Sequence, residues 1–180
     1  MAPAARRCHT GRVTLPDALI TPLTIAAVLG SGIVAGVLLS FSSFMIRTLR
    51  ELTAADGIRV MQSINRTIVR SPFILAFIGT TLLSGTLIIF GGVLAARDPE
   101  QAPAAPWLIA GGAVYLLGVF LVTALFNVPR NTALDRVDPG SADGQPVWRD
   151  YLTTWVRWNH VRTVAACASV VLFSVAIAVR

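Results

Sequence analysis

The stretch Trp148–Arg162, WRDYLTTWVRWNHVR, carries the densest set of chemically capable side chains in the sequence. Wound as a helix, it aligns Trp148, Tyr151, Trp155, Asn159 and Arg162 at intervals of three and four residues, on one face. Trp158 borders that stripe, and His160 points about 100° away from Asn159, toward Thr163 and Cys167. Two further polar pairs stand upstream: Gln62 with Asn65, and Asn127 with Asn131 on either side of Pro129. If these groups converge at one end of a bundle, they form a pocket of amide and guanidinium donors, with aromatic walls and one ionisable base. Plainer roles remain open for each. The tryptophans suit a membrane interface, Arg162 a lipid phosphate, His160 an interhelical hydrogen bond, and Asn127 a helix cap. Gln62 and Asn65 also fit a solvated interfacial helix.

Metal and haem chemistry find little to work with. The chain has two histidines, His9 and His160, and two cysteines, Cys8 and Cys167, in unlike surroundings. A haem with two axial histidines, or a metal site built on several imidazoles, is not expected to assemble from these two within one chain, and the carboxylate cluster of a di-iron bundle is missing, with Glu51 the sole glutamate near the candidate pocket. No cofactor-binding and no metal-ligating residues are therefore assigned.

The elements that must position these groups are membrane spans. Of 180 residues, 54% are hydrophobic and 13% charged, about half the charge of a soluble domain, and the mean hydropathy is +0.69. Residues 18–46, 71–96, 101–129 and 163–179 contain no charge at all. A bilayer-spanning helix needs about 20 such residues. This excludes an ordinary soluble enzyme and a disordered or fibrous chain. The net charge of +6 comes entirely from arginines that border apolar runs, which argues against nucleic acid as a partner.

The expected fold is all-α: an integral membrane four-helix bundle forming one domain over 1–180. The spans fall at approximately 22–46, 71–96, 107–128 and 150–179, after a polar tail, 1–16. Pro129 is expected to stop the third span near Val128. Between spans 1 and 2, Ile58, Met61, Ile64 and Ile68 recur at helical spacing, which predicts a short amphipathic helix. The first apolar run is too long for a signal peptide and is read as a retained span. Arginines crowd the long connections, which points to a cytoplasmic membrane protein with its termini outside. Small residues at Gly32, Gly36 and Ser40, and at Gly111 and Gly112, suit close helix packing, a homo-oligomer or docking as an accessory subunit.

The motifs Phe41-Ser-Ser-Phe44, Met61-Gln-Ser-Ile-Asn65, Asn127-Val-Pro-Arg-Asn131 and Trp155-Val-Arg-Trp-Asn-His-Val-Arg-Thr163 together resemble the anthrone oxygenase-like integral membrane family, whose members are mostly bacterial and of unassigned function. The likeness runs from about Gly30 to Val179, and Trp158–Thr163 is its most specific part. It implies an enzyme that oxidises an anthrone, or a similar hydrophobic aromatic compound, to a quinone with molecular oxygen as co-substrate and no redox cofactor. On that footing His160 is the expected general base. Arg162 and Asn159 stabilise the developing oxyanion, with Asn127 or Asn131 adding hydrogen bonds. Trp155, Trp158 and Phe44 hold the flat substrate, while Gln62 and Asn65 close the pocket. The competing expectation is a membrane protein that binds or transports a quinone-like compound without turnover.

Overall fold

The computed structural model describes residues 15–97 and 102–180, with side chains from Ala18 onward. Cys8, His9, Arg6, Arg7 and Arg12 lie outside the described residues. Among those described there is helix and turn but no strand. The helices are α1 (Leu15–Ser40), α2 (Ile46–Glu51), α3 (Ala54–Ile68), α4 (Pro72–Arg97), α5 (Ala105–Tyr115), α6 (Val128–Asp135), α7 (Gly144–Asp150) and α8 (Val156–Ala178). Wider π turns at Phe41–Met45, Leu116–Leu121, Thr123–Asn127 and Tyr151–Trp155 join α1 to α2, α5 to α6 and α7 to α8.

Four continuous columns result: Ala18–Glu51, Pro72–Arg97, Ala105–Asp135 and Gly144–Ala178, each long and apolar enough to cross a membrane. They form a square in which α1 packs on α4 and α8, and α5 packs on the same two. Their outward faces carry Leu29, Ile33, Leu75, Leu82, Ile89, Leu117, Val164 and Val171, all exposed. Such a girdle is compatible with lipid and costly in water.

Glycines set the closest approaches. A Cβ at Gly112 would lie 2.6 Å from the Ser84 carbonyl oxygen, and one at Gly111 would lie 2.8 Å from the Phe173 ring. These two residues therefore serve packing within the chain. Gly32 and Gly36 meet no neighbouring atom and remain exposed.

Three columns hold 31 to 35 residues, about 45–55 Å at 1.5 Å per residue, against about 30 Å of hydrocarbon. Their surplus length gathers at one end and makes a helical cap. There α3 packs across α6 and α7, burying Ile58 and Met61 against Leu134, Trp148 and Tyr151. The Thr53 hydroxyl accepts from the Asp56 amide at 3.2 Å and donates to the Asp56 carboxylate at 2.7 Å, starting the helix. That bond, with Arg59 alongside, holds the Asp56 carboxyl below the usual carboxylate range.

The third column differs from expectation: it does not stop at Val128 but continues through Pro129 to Asp135. Pro129 sits in the first turn of α6, directly after a π turn, where a missing N–H is tolerated. The fourth column likewise begins at Gly144, ahead of the expected 150. Gly57 lies inside α3, where Trp148 occupies the space a Cβ would fill.

Candidate functional site

The helical stripe read from the sequence is the buried face of the fourth column. Trp148, Tyr151, Trp155, Asn159 and Arg162 are all buried. The aromatic rings form a stack, with centroids 5.8 Å apart from Trp148 to Tyr151 and 5.1 Å from Tyr151 to Trp155. Phe41 meets Trp155 edge-on at 5.7 Å. Beyond the stack, the Arg162 guanidinium carbon lies 5.4 Å from the centre of the Trp155 ring, within reach of a cation–π attraction.

Arg162 is only 7% exposed. Its Nη2 donates to Asn159 Oδ1 at 2.7 Å and its Nη1 to Thr123 Oγ1 at 3.2 Å, while its Nε has no partner. The ion pairs found among the described residues, Arg59–Asp56 and Arg66–Asp135, lie elsewhere on the exposed cap. A guanidinium buried among neutral groups carries a large desolvation cost that an anionic oxygen would offset.

Asn159 is fully buried, and its Nδ2 donates to the Leu38 carbonyl at 2.9 Å and Ser42 Oγ at 2.8 Å. Ser42 also shares a 2.9 Å hydrogen bond with Thr163. Asn127 makes the matching bond on the other side of α8, donating to the Trp155 carbonyl at 3.2 Å. Each asparagine thus satisfies a backbone carbonyl at or near a π turn of a neighbouring column, where the regular ladder is interrupted.

Asn159 and Arg162 border a cavity of about 220 Å³ between the bundle and α3. Its polar lining consists of Asn65, Thr123, Asn131, Asn159 and Arg162; its apolar walls include Phe41, Ile64, Ile68, Phe73, Phe77 and Trp155. The volume lies somewhat below the ~300 Å³ lower end for drug-sized ligand pockets, so its occupant in this conformation is compact. A shallower groove bordered by Met45, Ser63, Thr67 and Ser71 shares Phe41, Ile64 and Ile68 with the cavity.

Of the candidates named from sequence, Asn65, Asn131, Trp155, Asn159 and Arg162 come together around this space. The others do not line it. His160 is exposed, one step of about 100° around α8 from Asn159, so its imidazole faces away and the general-base assignment loses its geometric basis. Phe44 is 61% exposed while Phe41 is buried, because the π turn at 41–45 rotates the two rings further apart than a regular helix does. Trp158 stacks on Phe126 at 3.7 Å and does not line the cavity. Gln62 is buried but donates to the Leu134 and Val137 carbonyls at 2.9 and 3.0 Å, tying α3 to the end of α6. Asn127 is a clamp on α8, with no capping bond.

The sequence reading missed Thr123, Phe41, Phe73 and Phe77 as lining residues and Ser42 as a partner of Asn159. Phe41 and Ser42 belong to the Phe-Ser-Ser-Phe motif. Nothing in the local pattern distinguishes Thr123 from other span threonines. Among the described residues no three His, Cys, Asp or Glu side chains gather in a group able to hold a metal ion.

A protein-family model described as anthrone oxygenase matches residues 73–172, more than half of the chain. The matched stretch begins in the first turn of α4 and includes Asn131, Trp155, Asn159 and Arg162. No curated protein and no solved structure gives a significant match.

Proposed function

The chain belongs to the anthrone oxygenase family, and on that premise we propose that it oxidises a hydrophobic anthrone-type substrate to a quinone with molecular oxygen. The single observation that carries this reading is Arg162, a buried guanidinium at the cavity with no carboxylate beside it among the described residues. An anthrone has a CH₂ group opposite a ring carbonyl. Loss of one proton gives an anthrolate whose charge rests largely on the carbonyl oxygen, and a fixed cation stabilises that anion more than the neutral ketone.

No lining residue is a carboxylate, imidazole or amine, so the proton leaves to water. Arg162 provides the electrostatic drive, and Asn159 and Thr123 fix its orientation. The electron-rich anthrolate carbon then combines with oxygen, and the resulting peroxide collapses to the quinone and water, with no redox cofactor in the scheme. Phe41, Phe73, Phe77 and Trp155 supply apolar and aromatic surface for a flat ring system.

The chain sits, in this proposal, in the cytoplasmic membrane of a bacterium with the α3 end inward. Arg47, Arg50, Arg59, Arg66, Arg70, Arg136 and Arg149 belong to that end, whereas Arg97 and Arg180 mark the other. Hydrophobic substrate and product would exchange with the surrounding lipid.

The test is oxygen consumption by the purified protein in lipid nanodiscs supplied with anthrone, with anthraquinone measured as product. Turnover that falls by ~10²–10³ in Arg162→Gln, the scale of a lost oxyanion donor, supports the reaction. Saturable anthrone or quinone binding without oxygen uptake identifies a binding or transport protein instead.

A further inference from the structure

We infer that the indole N–H of Trp155 joins Arg162 in holding the substrate oxygen on which negative charge develops, so that Trp155 is a second catalytic donor as well as a wall of the cavity. The inference rests on the reaction proposed above and names a further group that carries its oxyanion.

Trp155 and Arg162 both line the cavity, on residues 5% and 7% exposed. Trp155 Nε1 and Arg162 Nε are buried and have no hydrogen-bond partner. A buried indole N–H ordinarily finds an acceptor, and at membrane depth an unmet one is costly. The ring contacts of this indole are aromatic and cationic: Tyr151 stacks on it at 5.1 Å, Phe41 meets it edge-on at 5.7 Å, and the Arg162 guanidinium carbon lies 5.4 Å from its centre. The lining oxygens are engaged elsewhere. Asn159 Oδ1 and Thr123 Oγ1 accept from Arg162, and Asn131 Oδ1 accepts from Tyr151. The acceptor for the two spare N–H groups therefore comes with the occupant of the cavity.

One oxygen can accept from two N–H groups up to about 6 Å apart at ordinary hydrogen-bond lengths, a span comparable with the separation of the guanidinium carbon from the Trp155 ring. When anthrone loses a proton to water, the electron pair of the breaking C–H bond moves through the ring system to the carbonyl oxygen. That oxygen accepts weakly in the ketone and strongly in the anthrolate, so both donors favour the anion. The indole is also held in place before the charge appears. The Trp155 backbone carbonyl accepts from Asn127 at 3.2 Å, and the Tyr151 hydroxyl, on the ring stacked against it, is tied to Asn131 at 2.9 Å. A donor fixed in advance needs no reorganisation during the reaction.

Benzothienylalanine at position 155 keeps the shape of the indole and replaces its N–H by sulfur, while Trp155→Phe removes the same donor with a smaller ring. Both are compared with the parent protein in nanodiscs for kcat and KM with anthrone. Binding of β-naphthol, a flat aromatic alcohol whose absorbance separates bound naphthol from bound naphtholate, is measured alongside. The expected result for the benzothienyl variant is a kcat lower by ~100-fold, a KM within about twofold and a bound naphtholate-to-naphthol ratio lower by about tenfold. Trp155→Phe shows the same loss of ratio. Unchanged kcat and ratio in the benzothienyl variant, with the parent active, overturn the role of Trp155 and leave the reaction in place. So does a loss of kcat with an unchanged ratio, which makes the indole a wall only. A parent that binds naphthol without favouring naphtholate likewise overturns the donor pair. If the parent consumes no oxygen yet favours naphtholate, and the benzothienyl variant does not, the donor pair stands and the oxidation falls.

Discussion

Arg162 and Asn159, one turn apart on α8, are joined by a 2.7 Å hydrogen bond from the guanidinium to the amide oxygen. The amide nitrogen of Asn159 is itself held by the Leu38 carbonyl and Ser42 of α1 and its following π turn. The cation is thus positioned by a side chain that also bolts two columns together. In the proposed reaction, function and stability are coupled at this point.

Replacing Asn159 by Ala should therefore damage both. It strips a buried carbonyl of its donor and frees one arm of a buried cation, a loss of about 2–4 kcal/mol. Thermal unfolding in detergent should show a clearly lower midpoint, and oxygen uptake should fall even at temperatures where the variant is folded.

His160→Ala gives the opposite expectation. The imidazole is exposed on α8 and lies outside the cavity, so the oxidation rate should stay within about twofold of the parent, inside the usual range for surface changes. A loss of ~100-fold, the scale of a missing general base, would show that His160 reaches the substrate after all.

Gly57→Val tests the cap. Trp148 fills the space a Cβ needs at that position, so the larger side chain must displace the indole or lift α3. Overpacking of this kind costs about 1–3 kcal/mol. Protease cleavage within 52–71 should accelerate, while the four columns keep their helical circular-dichroism signal.

The contrast between these sites shows what could be read from residue order. Charge-free runs and the spacing of Ile58, Met61 and Ile64 identify four spans and one amphipathic connector, because hydrophobic period depends only on local geometry. The stripe Trp148–Arg162 was legible for the same reason. His160 and Asn159 are adjacent in the motif, yet one faces outward and the other is fully buried. The exchange of Phe44 for Phe41 depends on a π turn, and the passage of the third column through Pro129 depends on another; neither has a local sequence signature. Thr123 reaches the site from a different column, where it lines the cavity and accepts from Arg162.

Ile68→Trp probes access. Ile68 borders both the cavity and the outer groove, and added bulk there should raise KM for anthrone by several-fold, on the scale of a steric change in an apolar pocket. The rate at saturating substrate should change little. An unaltered KM would mean that substrate enters by another path.

The central claim is that a buried, carboxylate-free arginine stabilises a substrate oxyanion for reaction with oxygen. The most direct measurement compares parent protein and Arg162→Gln in nanodiscs, following anthrone loss, oxygen uptake and anthraquinone formation in one vessel. The account predicts one O₂ consumed and one quinone formed per anthrone for the parent, and a rate lower by ~10²–10³ for the variant. Equal rates in the two proteins, or anthrone binding by the parent with no oxygen consumed, would contradict it.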